Sequence, residues 1–352
     1  MRSHASSRWI VEAVIEAVAT VSIRTHLSVD KDAPLHRAVQ RCGTIVAHLA
    51  VVCGTGSLFD KVIYSNLPDL APSDERRQRV KTENAVPYLG ALVTSLDVKR
   101  MSEGEWKTLY QTWLDRHVLI VRGQELSKAD FIAYSRRFGR LKPHMIKRTR
   151  DPENPEITLM GVTSMAKDTK GEKLILDRGQ GWHTDSPWDT EICKGTQLYG
   201  IEIPSYGGDT LFASMHAAYD ALPERLKKRT APLKVEFHYG GRERKWLDLL
   251  DPEDQARPPA VHDMVRVHPE TGRKSLYVNP THVIRILGIP EAEGDRLLAE
   301  LYWYMLQPNA EYRHKWKAGD LVIWDNRCTV HSAAGGYPSN ERRIHWRTTI
   351  ME

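Results

Sequence analysis

The sequence predicts a mainly β chain of the α+β class, organised as an antiparallel sandwich or jelly roll. Three observations carry this. Short β-rich segments run from "GTQLYGIEI" through "DTLFAS", "LKVEFHY", "MVRVHP", "SLYVN" and "DLVIWDN" to "RIHWRTTI", with Gly, Pro, Asn and Asp punctuating them. Two Ser-x-x-acid signatures open amphipathic helices upstream of that run. A long polar stretch, 147 to 181, separates the helices from the strands.

Taken in order, "VPYLGALV" alternates and predicts a strand. Ser102 followed by Glu105 in "SEGEWKTLYQTWLDRH" is a capping box at the start of a helix. "HVLIVRG" reads as a buried strand. Ser127 and Asp130 open a second helix, "SKADFIAYSRRFG", with Gly139 as its expected stop. The polar stretch contains "RTRDPENPE" and "AKDTKGEK", and a loop so long in a compact domain is usually functional, here expected to act as a lid. A last helix is expected at 291 to 306, "EAEGDRLLAELYWYML". No internal repeat is visible.

Residues 1 to 80 differ. Two apolar runs, "WIVEAVIEAVATVSI" and "CGTIVAHLAVVCGTGSLF", are broken by Glu12, Glu16, His48 and glycines, so neither has the purity of a membrane span or a secretory signal. We expect a weakly ordered extension or an over-long gene start, followed by a catalytic domain over 81 to 352.

Lys and Arg total 50 against 45 for Asp and Glu, a net charge of +5 with no dense basic run. That argues against a nucleic-acid face and suits an anionic small molecule. The four cysteines form no C-x-x-C pair, which points to a reducing, cytoplasmic setting. No membrane or nucleic-acid partner is expected, and a homo-oligomer is.

"GWHTDSPW" sets His183 and Asp185 two positions apart between tryptophans. One His-x-Asp arises by chance in about a third of chains this long, so the pair alone is weak, and a solvated turn is its plain alternative. In extended backbone, side chains at i and i+2 share a face and can converge on one ion. Two His and one carboxylate suit divalent iron and leave coordination positions open, whereas a structural zinc site would close its shell, usually with Cys. The missing histidine is sought in "DLVIWDNRCTVHSAAGGYPSNERRIHWRTTI", where His331 follows a buried strand and a polar turn. Arg343 and Arg347 follow, four apart and on one strand face, and arginine grips carboxylates with two parallel hydrogen bonds.

Together "WHTD", "GGDTLFAS", "GDLVIWDNRCTVH" and "RRIHWR" resemble the TauD/TfdA family of Fe(II)- and 2-oxoglutarate-dependent dioxygenases, in the family's order and over about 85 to 350. The resemblance implies a double-stranded β-helix core with flanking helices. It implies His183, Asp185 and His331 as iron ligands, with O2, Fe(II) and 2-oxoglutarate as cofactor and co-substrates. Thr210 and Arg343 would hold the distal carboxylate of 2-oxoglutarate. Arg347 would sit near its metal-bound end and near the substrate, and His144 would contact substrate. The implied reaction couples oxidative decarboxylation of 2-oxoglutarate to hydroxylation of a small anionic compound. A sulfonate such as taurine is the first expectation, with an aryloxyalkanoate, another carboxylate or an alkyl sulfate as alternatives. Two departures stand out: the His331-to-Arg343 gap is one residue longer than in the taurine enzyme, and the glycine-bearing "RGQG" replaces a polar residue before "WHTD". The more distant readings are a non-catalytic metal- or ligand-binding jelly roll and a cupin-type isomerase. Trp182, Trp188 and Trp324 are expected as core or pocket walls.

Overall fold

The computed structural model describes residues 80–161, 179–307 and 311–352. The expectation for residues 1 to 80 lies outside them, apart from Val80. Among the described residues, no helix is long and apolar enough to cross a membrane.

The chain opens with β1 (Thr82–Val86), β2 (Leu89–Val93), α1 (Glu103–Arg116), β3 (Val118–Val121), α2 (Lys128–Arg136), β4 (Arg140–Lys142) and β5 (Thr158–Met160). The middle comprises β6 (Cys193–Glu202), β7 (Thr210–Ser214), α3 (Met215–Ala221), α4 (Glu224–Thr230), β8 (Lys234–Phe237), α5 (Pro252–Gln255), β9 (Ala260–Asp263), β10 (Val265–Val267), β11 (Lys274–Leu276) and β12 (Val283–Leu287). It ends with α6 (Glu291–Met305), β13 (Glu311–His314), β14 (Leu321–Asp325), β15 (Thr329–Ala333) and β16 (Ile344–Met351).

One large sheet has the order β1-β2-β3-β14-β6-β16-β4, with β5 paired to β16. The pairings within it are antiparallel except β2 with β3. A second sheet is β13-β7-β15, a third β12-β8-β9, and β10 pairs with β11. The centre of the large sheet is apolar and buried. Val118, Leu119, Ile120 and Val121 of β3 face Leu321 to Trp324 of β14 in direct register. Full burial of each such side chain contributes about 1.5–3 kcal/mol.

Both predicted capping boxes form. Ser102 accepts from the Glu105 backbone while the Glu105 carboxylate accepts from the Ser102 backbone, and Ser127 with Asp130 does the same. On α1, Leu109 and Trp113 fall one helical turn apart and are buried in the core beside Phe131 and Phe138.

Two expectations need correcting. Gly139 does not stop α2, whose C-cap is Arg137 in an ordinary right-handed conformation. Gly139 is there because a Cβ would lie 2.4 Å from the Met351 carbonyl oxygen, so only glycine lets the chain pass β16. The polar stretch is not one long loop either. A 3-10 turn at Lys147–Thr149 and strand β5 occupy its first part, and β5 pairs with the strand that carries Arg347. Residues 162–178 of the expected lid lie outside the described residues.

Candidate metal centre and co-substrate pocket

His183 and His331 come from segments far apart in sequence, and their backbones exchange two hydrogen bonds. His183 N donates to His331 O at 2.9 Å, and His331 N to His183 O at 2.8 Å. The 183–185 segment is not the strand that i,i+2 spacing suggests. It makes a single bridge and then turns at Ser186, φ 54°. Side chains sew the rest of it down: Thr184 Oγ1 donates to Thr329 O at 3.0 Å, and Asp185 N to Asn326 Oδ1 at 3.3 Å.

This stitching brings one ligand atom from each of His183, Asp185 and His331 within 4.8 Å of one another. His183 Nε2 lies 3.9 Å from Asp185 Oδ1, and His331 Nε2 lies 3.7 Å from Asp185 Oδ2. His183 Nδ1 sits 2.8 Å from Gly181 O, so it carries the proton and leaves the Nε2 lone pair for a metal. Burial, then the neighbouring His183, holds His331 well below the ordinary histidine range, which keeps it a neutral donor. For Asp185, burial raises the carboxyl, but Arg347, His331, His183 and the Thr196 hydroxyl together outweigh it and hold it below the usual carboxylate range. Two lone-pair imidazoles and a fixed carboxylate are the donor set that ferrous iron accepts.

The carboxylate is held from behind by residues with no local sequence signal. Asn326 Nδ2 donates to Thr196 Oγ1 at 2.9 Å, which turns the Thr196 hydroxyl toward Asp185 Oδ2 at 2.6 Å. Replacing Thr196 with valine keeps the shape and removes that bond. We expect iron affinity to fall about 10–100-fold. A binding titration of the refolded-to-native variant checks this; wild-type affinity would show that the hydroxyl does not orient the ligand.

Arg347 NH2 donates to Asp185 Oδ1 at 2.9 Å, while its NH1 is buried with no protein partner. Arg343 lies just before β16. Its Nε donates to Gly208 O at 2.8 Å, and adjacent Arg342 turns outward to Glu202 at 3.3 Å. Gly208 has φ 66°, and a Cβ there would meet the Arg343 Cδ and Nε at 2.9 Å, which accounts for the "GGDT" turn. Among the described residues no carboxylate pairs with Arg343, and burial pushes its guanidinium down to about 10. An anion would relieve that desolvation. Thr210 lies on β7 and accepts from Trp316 Nε1 at 3.0 Å, which leaves its own O–H to donate.

His144 accepts from Ile146 N at 3.1 Å through Nδ1. It lines a cavity of about 230 Å³ with Lys142, Arg150, Trp188, Asp189, Arg257 and Ser186, the residue after Asp185. Trp188 packs 4.7 Å from the ring of His282, and His282 packs 5.9 Å from His183, so an aromatic wall runs from this cavity to the metal centre. Trp324 is core, 1% exposed, and Trp182 packs on a separate cluster around α3 and α6. Sequence reasoning missed Thr196, Asn326, His282 and also His345, which lies on β16 between Arg343 and Arg347 in sequence, with both ring nitrogens buried and unpartnered.

The family model for "Taurine catabolism dioxygenase TauD, TfdA family" matches residues 81–349. The chain belongs to this family. It is an Fe(II)- and 2-oxoglutarate-dependent dioxygenase. Among curated relatives, it is 36% identical over 276 residues to the (S)-phenoxypropionate/alpha-ketoglutarate-dioxygenase of Sphingobium herbicidovorans, covering 74% of this chain and 91% of that one. It is 35% identical to the alpha-ketoglutarate-dependent 2,4-dichlorophenoxyacetate dioxygenase of a Burkholderia strain, covering 71% of this chain and 87% of that one. The crystal structure of a taurine dioxygenase from Burkholderia xenovorans superposes with a TM-score of 0.65 at 27% identity, covering 77% of this chain and 89% of that one. Substrates named for these relatives are theirs.

Proposed function

We propose that this dioxygenase hydroxylates an aryloxyalkanoate or a similar aromatic carboxylate, ahead of the sulfonate that the sequence motifs first suggest. The observation that carries this is the wall of Trp188, Tyr239 and His282 leading to His183, beside a cavity lined by Lys142, Arg150 and Arg257. A flat ring stacks on such a wall, and Arg150, whose Nε is held on the His144 carbonyl, is available to a substrate carboxylate, while Lys142 and Arg257 are already paired with Asp189 and Asp254 in the same lining. The two relatives named for phenoxyalkanoates are also more similar in sequence than the taurine dioxygenase.

On this reading, His183, Asp185 and His331 hold the iron. When bound, the iron supplies oxygen activation coupled to decarboxylation of 2-oxoglutarate to succinate and CO2. The protein residues orient and charge-balance. Arg343 and Thr210 take the distal carboxylate of 2-oxoglutarate, and the free NH1 of Arg347 serves its metal-proximal end or the substrate anion. His144 borders the substrate. The large sheet and the β13-β7-β15 sheet form the two walls of a double-stranded β-helix, with the domain spanning 81 to 352. A cytoplasmic homo-oligomer completes the proposal; sedimentation velocity checks the assembly.

The deciding experiment offers aryloxyacetates, aryloxypropionates, taurine and alkyl sulfates in turn and measures succinate formed per enzyme. Taurine or an alkyl sulfate as the preferred substrate would overturn the aromatic assignment. Trp188→Ala should raise the KM for an aryloxy substrate about 10-fold, the scale of one lost stacking contact of about 0.5–1.5 kcal/mol plus burial, with the 2-oxoglutarate requirement unchanged.

His345 extends the same assignment. Burial, then the Arg343 charge, holds its imidazole well below the ordinary range, so it is neutral, with one donor and one acceptor to satisfy. It lies two positions from each of Arg343 and Arg347 and packs 4.4 Å from Trp316, the donor to Thr210, which supports a role beside the co-substrate. His345→Leu should weaken 2-oxoglutarate binding about 5–12-fold, one lost hydrogen bond of about 1–1.5 kcal/mol. Anaerobic binding of 2-oxoglutarate followed by the visible charge-transfer band tests it, and an unchanged affinity removes His345 from the pocket.

A further inference from the structure

We propose that His117, His216 and Cys328 form a second metal site, separate from the iron centre, that takes a borderline-soft cation of the zinc type. His117 closes α1, His216 lies in the first turn of α3, and Cys328 sits in the turn between β14 and β15. One ligand atom from each lies within 4.8 Å of the others. The three residues are at most 1% exposed.

Two features show that this is more than a polar corner of the core. His117 Nδ1 and His216 Nε2 are both buried with no partner. A buried ring nitrogen with no partner is costly to keep, so a pair of them in one place asks for an occupant. Moreover, His216 Nδ1 lies 2.7 Å from the Lys274 carbonyl. It must carry the proton, which leaves the buried Nε2 with a lone pair and no protein partner. A ligand histidine bonded to a backbone carbonyl through its other nitrogen is the usual support of a metal site.

The remaining chemistry agrees. Burial, then the neighbouring His216, pushes His117 down to about 3, and burial pushes His216 down to about 4, so both rings are neutral at ordinary pH. Cys328 is a free, buried cysteine whose thiol, among the described residues, makes one polar contact, a weak 3.9 Å approach to Asp325 O. Burial raises its thiol, so metal binding would replace the thiol proton and release it to solvent. His117 holds a left-handed φ of 63°, uncommon for a residue with a side chain, and its backbone N–H still caps α1 through Trp113 O. Asp325 stands next to the cluster, fixed by Arg327 at 2.6 Å and by His268 at 3.0 Å. Imidazole and thiolate donors select zinc-like ions over magnesium or calcium.

The two centres separate cleanly because only the new one contains sulfur. The full chain, stripped of metal by chelation, is titrated anaerobically with cobalt(II) alone. Wild type should bind two equivalents, one of them with a near-ultraviolet thiolate-to-cobalt charge-transfer band that zinc competes away. Asp185→Asn should lose the other equivalent and keep that band. Cys328→Ser should lose the band and keep the equivalent at His183, Asp185 and His331, whose survival shows the variant is folded. His216→Gln should weaken the thiolate-linked equivalent at least 10-fold. A wild-type protein that takes one equivalent with no thiolate band overturns the proposal, as does a band that survives Cys328→Ser.

Discussion

Asp185→Asn is expected to reduce succinate formation about 1,000-fold or more, with iron content falling in parallel. The substitution keeps the side-chain shape and an oxygen for the Thr196 hydroxyl, which sits at 2.6 Å. It removes the charge that a ferrous ion needs beside two neutral imidazoles. A loss of several kcal/mol in charge stabilisation is several factors of ten in rate. Stability should fall too, because Arg347 sits 2.9 Å from Asp185 Oδ1 and would be left buried without its carboxylate. Breaking one partner of a buried pair costs about 3–5 kcal/mol. The thermal midpoint therefore drops in the variant whatever the iron does, so the discriminating measurement is iron bound per folded chain, with near-ultraviolet circular dichroism as the fold control. Wild-type iron affinity in a folded Asp185→Asn protein would contradict the assignment of the centre.

What could be read from the sequence follows how far each signal reaches. Ser102 with Glu105 and Ser127 with Asp130 are local devices that act across three residues, and both form as the spacing requires. The apolar runs of β3 and β14 likewise mark themselves, since strands buried on both faces have little choice of residue. Gly139 misled because glycine serves two ends. Near a helix terminus it suggests a stop, but here it clears the Met351 carbonyl across more than two hundred residues of chain. Strand β5 was hidden because three residues, Thr158–Met160, are too few to show a period. Its existence depends on the pairing with β16, and nothing in "ITLM" announces that.

The centre divides the same way. His183, Asp185 and His331 are visible because metal-ligand residue types are scarce and their spacings restrictive. Thr196 and Asn326 are ordinary residues whose task exists only after folding, when side chains 130 positions apart come within 2.9 Å. His282 and His345 carry chemistry-bearing side chains, yet a histidine alone in a sequence is more often a packed core residue than a working one. Only the aromatic stack on His183 and the pair of orphaned nitrogens on β16 distinguish them.

Arg343→Lys should raise the 2-oxoglutarate concentration needed for half-saturation about 10–100-fold while leaving substrate KM near its wild-type value. The guanidinium is already anchored by its Nε on the Gly208 carbonyl at 2.8 Å, so its terminal nitrogens are presented in a fixed plane. A dicarboxylate can meet that plane with two parallel bonds. Lysine has to choose between the carbonyl and the carboxylate, and a single ammonium supplies one directed contact where two existed. Losing one charge-assisted bond of about 1.5–3 kcal/mol gives the stated range. Burial adds to the effect. It pushes Arg343 down to about 10, still protonated near neutrality, whereas a lysine in the same desolvated place starts from a lower reference and is more readily neutral. The lysine variant should therefore regain co-substrate affinity as pH falls, because protonation restores the positive charge, while wild type changes little over the same interval. Equal 2-oxoglutarate dependence in the two proteins at every pH would place the distal carboxylate elsewhere, and would leave the unpaired, desolvated guanidinium beside Gly208 without an anion to account for it.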